Sequence, residues 1–190
     1  MSAVARQQLW AKAEALRPPR LPARPPEGGA ATSRALALAE RLAPRAAVLQ
    51  PVSVEDLAAA PAWAAWPAER RARLARLAGG VATARALGRS IQGDVLGRAA
   101  QALGPKTLDA VLALPADTPA VSDRGAERGE ADALERLGAA VLLAEVGRPA
   151  LRARLTALFE DVAPAVPDEP ARAAGRIARR LWAELDEAGA

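Results

Sequence analysis

The sequence predicts an all-α fold, a compact bundle of about seven to nine helices without a sheet. Between residues 70 and 114 the apolar side chains recur mostly at intervals of three, four or seven, which is the period of a helix. No segment of useful length alternates apolar and polar residues as a half-buried strand does. Much of the 51% apolar content is alanine, and small side chains allow helices to approach closely. The core positions expected in this central stretch are Leu74, Leu77, Val81, Leu87, Ile91, Val95, Leu96, Leu103, Leu108, Val111 and Leu112.

Three helices are expected within the central stretch, divided at Gly88 and at the Gly104-Pro105 pair. Pro105 suits the first turn of a helix, because the N–H that proline lacks has no partner there in any case. Pro67 likewise fits the first turn of the helix that enters the stretch.

The Gly93-x-x-x-Gly97 spacing places two positions without side chains on one helix face. Each glycine costs nearly 1 kcal/mol of helix propensity relative to alanine, so a packing reason is expected. We therefore predict that another helix approaches closely at these two glycines.

A proline-rich run separates the beginning of the chain from the rest. Residues 3–17 are expected to form a short helix, and residues 18–26 contain five prolines, which disfavour helix and indicate an extended linker. A proline-rich ligand for another domain is the alternative interpretation of this run. We predict residues 1–31 as an N-terminal helix with its linker, and residues 32–190 as a single all-helical domain.

Capping residues and prolines predict where the other helices begin. Thr32 or Ser33 is expected to cap a helix, and Ser53 with Asp56 resembles a capping box for a brief one. Residues 115–130 are predicted as a surface loop. Further helices are expected from Glu127 or Ala131 to Gly147, from Pro149 to Val162, and over about 171–188 after breaks at Pro164, Pro167 and Pro170. The last of these carries an apolar stripe of Ile177, Leu181, Trp182 and Leu185.

The composition excludes several kinds of site. The chain has no cysteine and no histidine, which excludes disulfides, thiolate metal sites and the commonest general base. The net charge of +4 is modest for a chain of 190 residues, although the pI is about 10.8. Of the 26 basic residues 24 are arginine, and acids are interspersed with them. No signal-peptide core and no apolar run long enough to span a membrane is apparent, so a cytoplasmic location is expected.

No catalytic arrangement is recognisable, and we predict that the protein is not an enzyme and has no cofactor or metal. Gly104-Pro105-Lys106-Thr107 resembles the end of a phosphate loop, but proline stands where the second glycine is required. The Glu55-Asp56 and Asp168-Glu169 pairs are better explained as helix-start acids. The acidic set of Glu127, Glu130, Asp132 and Glu135 has helical spacing and is better explained as a solvated face than as a metal site.

Aromatic and basic residues are the remaining candidates for binding. Trp63 and Trp66 lie between two prolines, either as core residues or as anchors for a partner protein, since tryptophan is favoured at binding hot spots. The arginines that follow face either solvent, an acidic partner or nucleic acid. The candidate partner-binding residues are Trp63, Trp66, Arg70, Arg71, Arg73 and Arg89.

The central motifs resemble a bacterial type III secretion family, the sorting-platform accessory proteins called SctK or YscK. They are Leu74-Ala-Arg-Leu77-Ala-Gly-Gly, then Ala86-Leu87-Gly-Arg89-Ser-Ile91-Gln-Gly93, then Ala102-Leu103-Gly104 followed by Leu108 and Leu112. Downstream, Leu137-Gly138 and Leu151-Arg-Ala-Arg-Leu155 are similar to a further element of the family, so the resemblance covers about residues 70–160. The His-x-Ser-Trp-Leu-Pro-like segment that many members carry is absent, and Gly88 stands where the family has a longer side chain.

The resemblance implies a non-enzymatic adaptor at the cytosolic face of the inner membrane. Its expected partners are the cytoplasmic domain of the inner-membrane ring and the C-ring-like pod protein of the sorting platform. The alternative from another class is an Arg-rich helical protein that binds nucleic acid or has a regulatory role. A small-molecule substrate is not expected under either interpretation.

Overall fold

The computed structural model describes residues 3–17, 53–90, 92–163 and 166–187. Within these residues the chain forms nine α-helices and one 3₁₀ helix and contains no strand, so the predicted all-α class is confirmed. The helices are α1 (Ala3–Ala15), α2 (Val54–Ala59), the 3₁₀ helix (Ala62–Ala65), α3 (Ala68–Arg89), α4 (Gly93–Leu103), α5 (Pro105–Leu112), α6 (Arg124–Glu127), α7 (Ala131–Ala144), α8 (Pro149–Thr156) and α9 (Asp168–Glu187).

The helices belong to two compact units. The first, which we call the N-terminal unit, comprises the described residues within Met1–Ala65 together with Arg148–Leu158. The second, the central unit, comprises the described residues within Trp66–Gly147 and Phe159–Ala190. The boundary that the sequence predicts at residue 31 lies outside the described residues, as do Ile91 and the helix predicted after Ser33.

The N-terminal unit is joined by polar contacts between segments that are distant in the chain. Lys12 Nζ donates to the carbonyl oxygen of Ala60 at 2.5 Å, and Arg154 donates to that of Leu16 at 2.9 Å. The predicted cap of α2 is confirmed as a complete capping box between Ser53 and Asp56. α1 therefore packs with α2, the 3₁₀ helix and α8 as part of one unit.

Two antiparallel helices, α3 and α7, form the centre of the central unit. A Cβ atom added to Gly138 of α7 would lie 1.6 Å from the carbonyl oxygen of Ala75, and one added to Gly79 of α3 would lie 2.0 Å from that of Leu134. These contacts show that the two backbones touch, which only glycine allows at these positions. The large, fully buried side chains on the two helices are Leu74, Leu77, Val81, Leu87, Leu134, Leu137, Val141 and Leu142.

α4 and α5 pack beside the second half of α3. Leu87, Val95, Ala99 and Leu108 form a buried cluster, with Leu103 partly buried against it. The loop that follows α5 is held to α3, because the N–H of Val121 donates to the carbonyl oxygen of Ala82 at 2.9 Å. Most of the predicted core positions in this stretch are therefore confirmed: Leu74, Leu77, Val81, Leu87, Val95, Leu108 and Val111 are all buried.

α9 buries its small residues and leaves its large ones half-buried. Its buried positions are Ala171, Ala174, Gly175 and Ala178, whereas the apolar stripe predicted for this helix, Ile177, Leu181, Trp182 and Leu185, is only partly covered. The predicted stripe therefore lies beside the packed face of α9, and none of its four residues is fully buried.

Several predictions about element limits and packing are wrong. α3 continues through Gly88 to Arg89, since the break falls just beyond, at Ser90. Gly93 and Gly97 are exposed and a Cβ atom at either would meet nothing within 4 Å, so the close approach is made by Gly79 and Gly138 instead. Leu112 is 36% exposed, and Leu96 and Leu103 are only partly buried. α7 ends at Ala144, α8 ends at Thr156, and α9 begins at Asp168 with Pro170 in its first turn.

Candidate partner-binding surface

Trp63 belongs to the interior of the N-terminal unit. It lies on the 3₁₀ helix and is 4% exposed. A ring buried to this degree has no free face for a partner. Its burial favours the first of the two roles that the sequence left open, packing in the core.

Trp66 takes part in a cluster of four side chains, which we call the aromatic–arginine cluster: Trp66, Arg70, Trp182 and Asp186. The rings of Trp66 and Trp182 are tilted by 34° with centroids 5.6 Å apart. The guanidinium carbon of Arg70 lies 4.4 Å from the Trp66 centroid and 5.9 Å from the Trp182 centroid, and Arg70 also pairs with Asp186. The cluster joins the beginning of α3 to the last turns of α9.

Stacking contributes more to this cluster than charge pairing. The side chains of Arg70 and Asp186 are both about half exposed, and an ion pair in water contributes roughly 0–1 kcal/mol. A guanidinium over an indole ring contributes about 0.5–2 kcal/mol, and an aromatic pair a similar amount beyond its buried area. The cluster is therefore a partly exposed aromatic surface with a cation against it.

Arg71 and Arg73 have different surroundings although they are two residues apart. Arg71 is partly buried and donates to the carbonyl oxygen of Trp66, and burial lowers its pKa from the ordinary value. Arg73 is exposed and forms no ion pair within the described residues. Arg73 therefore presents a guanidinium that no carboxylate of the described chain neutralises.

A cavity of about 430 Å³ adjoins the aromatic–arginine cluster. It lies between α3, the junction of α4 with α5, and the end of α9. Gly104 forms that junction with a φ of 86°, a left-handed conformation that favours glycine. The lining residues include Arg73, Arg76, Leu103, Thr107, Trp182 and Leu185.

Two side chains that line the cavity carry buried donors without an acceptor. The indole Nε1 of Trp182 is inaccessible and has no hydrogen-bond partner. Arg76 Nε is 3.3 Å from a carboxylate oxygen of Glu135, an ion-pair contact without the alignment of a hydrogen bond. Buried donors are seldom left unsatisfied, and each instance calls for an explanation.

Arg89 lies at the end of α3, in a different pocket from the cluster. Its neighbours around this pocket, which has a volume of about 460 Å³, include Arg124, Arg128 and Glu127. None of the three arginines forms an ion pair within the described residues. The candidate residues thus separate into a buried tryptophan, a cluster at the start of α3, and a second basic site at the end of α3.

The described residues contain no group of three or more acidic side chains that could hold a metal ion. Of the predicted acidic set, Glu135 pairs with Arg76, and Glu127 accepts a hydrogen bond from the Ser122 hydroxyl at 2.8 Å. No helix among the described residues has the length and apolarity needed to cross a membrane.

Trp182 and Asp186 are residues of this surface that the sequence did not single out as binding candidates, whereas Arg76 belongs to the basic set noted after Trp66. Trp182 was assigned only to the apolar stripe of the last helix. One signal for it was present in the sequence. In a chain with only four tryptophans, two of these large rings can be expected to pack against each other. The pairing of Trp66 with Trp182 joins positions more than a hundred residues apart and has no local signature.

Comparisons with protein-family models, with curated proteins and with solved structures found no match.

Proposed function

We propose that this protein is a non-enzymatic helical adaptor of a bacterial type III secretion sorting platform. Its partners in this proposal are the cytoplasmic domain of the inner-membrane ring and the C-ring-like pod protein. The location that follows is cytoplasmic, at the cytosolic face of the inner membrane. The resemblance of residues 70–160 to the SctK or YscK family is the reason for naming this assembly.

The observation that carries the adaptor role is the aromatic–arginine cluster with its adjoining cavity. Tryptophan and arginine are the side chains most enriched at protein-binding hot spots. Here Trp66 and Arg70 are held in one arrangement by Trp182 and Asp186, so little side-chain entropy is lost when a partner binds. The motif residues of α3 supply the packing that holds this surface, since Leu74, Leu77 and Gly79 are buried.

A nucleic-acid-binding role is the second candidate, and the site around Arg89 is the observation that favours it. Arg124 and Arg128 adjoin the same pocket, and three guanidinium groups without ion pairs suit a phosphate backbone. The acids interspersed with the arginines elsewhere, and a net charge of only +4, favour the adaptor role instead.

Affinity capture of the tagged full-length protein from its own cytoplasm tests the proposal. Recovery of a C-ring-like protein, a stator and an ATPase, largely unchanged between low and moderate salt, is the expected result. Recovery of nucleic acid that moderate salt removes would refute the adaptor role, because phosphate contacts weaken steeply with salt. Trp66→Ala should reduce recovery of the platform proteins, and its melting temperature should be checked so that unfolding is not mistaken for lost binding.

A further inference from the structure

We propose that the 430 Å³ cavity beside the aromatic–arginine cluster binds an acidic segment of a partner protein, with a carboxylate at Arg73 and an aliphatic side chain against Trp182 and Leu185. The inference rests on the proposed adaptor function and adds the chemistry of the segment that binds. It follows from the charges, the start of α5 and the apolar wall of this one cavity.

The charges around the cavity do not cancel. Asp186 is paired with Arg70, and Glu135 is paired with Arg76. Arg73 remains without a carboxylate among the described residues, and Lys106 is exposed on the first turn of α5. A carboxylate brought by a partner would therefore meet a positive region that the chain itself leaves uncompensated.

The start of α5 also favours an acceptor in this place. Its N-cap residue, Gly104, has no side chain to accept from the first free amides of the helix. A carboxylate has two oxygens and accepts several hydrogen bonds at once.

The apolar side of the cavity distinguishes a protein segment from a phosphate group. Leu103, Trp182 and Leu185 are each only partly buried, so apolar area stays in contact with water until something covers it. A phosphate or nucleotide backbone has no aliphatic group to place there. The volume is within the usual range for ligand pockets, about 300–1,000 Å³, and accommodates one anchoring side chain beside the carboxylate.

The test uses the full-length protein and two synthetic peptides, each acetylated and amidated. The first is Glu-Glu-Leu-Glu-Glu-Leu-Glu-Glu, and the second has glutamine in place of every glutamate. The four tryptophans provide four indole N–H signals in a ¹⁵N-labelled sample, with the Trp182 signal assigned by Trp182→Phe. Trp10, which is 75% exposed, serves as the internal reference.

The acidic peptide should shift the Trp182 indole signal to saturation while the glutamine peptide does not. Arg73→Glu should raise the Kd at least tenfold, because a charge-assisted contact is replaced by a repulsive one. Arg85→Glu is the matched control, since Arg85 is also exposed on α3 but does not line the cavity; its Kd should stay within twofold. Melting curves of both variants should overlay that of the wild type.

Three results would overturn the proposal: equal shifts with the glutamine peptide, equal shifts with an oligonucleotide of the same charge, or no shift with any probe. Capture with the same two variants separates this inference from the proposed function. If platform proteins are recovered equally by Arg73→Glu and Arg85→Glu, the adaptor role stands and the cavity has no part in it. If the acidic peptide binds but the wild type recovers no platform protein, the cavity site stands and the adaptor role falls.

Discussion

Replacing Gly138 by alanine tests the close packing of α3 against α7. The new methyl carbon would lie 1.6 Å from the carbonyl oxygen of Ala75, 2.6 Å from its carbon and 2.7 Å from the nitrogen of Gly79. Side-chain carbons do not approach other atoms within 3.0 Å, so the helices must separate by about 1.4 Å. No side-chain rotation relieves this clash, because every atom that the methyl group meets belongs to the backbone.

The cost can be worked out from the side chains on the two helices. Leu74, Leu77, Val81, Leu134, Leu137 and Val141 are all buried, and each contributes about 2 kcal/mol by burial. A gap of about 1 Å forfeits a quarter or more of the contact energy, which amounts to about 3 kcal/mol for the six. Alanine returns nearly 1 kcal/mol of helix propensity, so the free energy of unfolding should fall by about 2 kcal/mol or more.

Urea unfolding followed by circular dichroism measures this change, and Gly97→Ala is its matched control. Gly97 is an exposed helical glycine with nothing within 4 Å of an added Cβ atom, so alanine there should stabilise by up to about 1 kcal/mol. With a slope of about 2 kcal/mol per molar urea, the midpoint should fall by about 1 M for Gly138→Ala and rise by about 0.5 M for Gly97→Ala. A midpoint for Gly138→Ala equal to or above that of the wild type would refute the backbone contact.

Three further predictions concern single side chains. Hydrogen bonding from Arg148 holds the pKa of Asp56 below its ordinary value of 3.8. This carboxylate therefore stabilises the fold above that pH, and the stabilisation is lost as the pH falls through the depressed pKa. In an NMR titration the pKa of Asp56 should be higher in Arg148→Gln than in the wild type, and an unchanged value would contradict the pairing. Burial raises the pKa of Glu145 above its ordinary value of 4.5. The stability that is present below that pH is therefore lost as the pH rises through the raised pKa. The urea midpoint of Glu145→Gln should increase relative to that of the wild type between pH 4 and pH 7, and a constant difference would count against this. Trp63→Ala should lower the free energy of unfolding of the N-terminal unit by about 3–5 kcal/mol. Trp66→Ala should lower the melting temperature less than Trp63→Ala does, and the reverse order would contradict the burial of Trp63.

Local signals in the sequence were sufficient for the fold class and for several helix starts. The capping box at Ser53 and the prolines at the first positions of α5 and α8 act through the backbone of their own turn, so their effect does not depend on the rest of the fold. Helix ends were less predictable. α8 stops at Thr156 although its apolar pattern continues to Val162, and the chain leaves the N-terminal unit just beyond, after Leu158.

The close helix contact was not predictable from glycine spacing. Gly93 and Gly97 have the expected i, i+4 pattern but face solvent, whereas Gly79 and Gly138 lie on different helices and meet only after folding. Spacing identifies positions that share a face of one helix, but it does not determine whether another helix covers that face. The aromatic–arginine cluster has the same property, since Arg70 was a candidate from the sequence and its contact with Trp182 depends on how α9 packs.

The distribution of small and large residues on α9 explains why the proposed binding surface lies at the end of this helix. Alanine and glycine occupy the face that packs, so this helix approaches the core closely without burying its largest side chains. Trp182 and Leu185 are left partly in contact with water, and covering apolar area yields about 25 cal/mol per Å². α7 offers no such gain, because its large side chains, such as Leu134 and Leu137, are already fully buried. In the proposed complex the partner covers apolar area at the end of α9, where the unneutralised guanidinium of Arg73 also favours an acidic segment over a basic one.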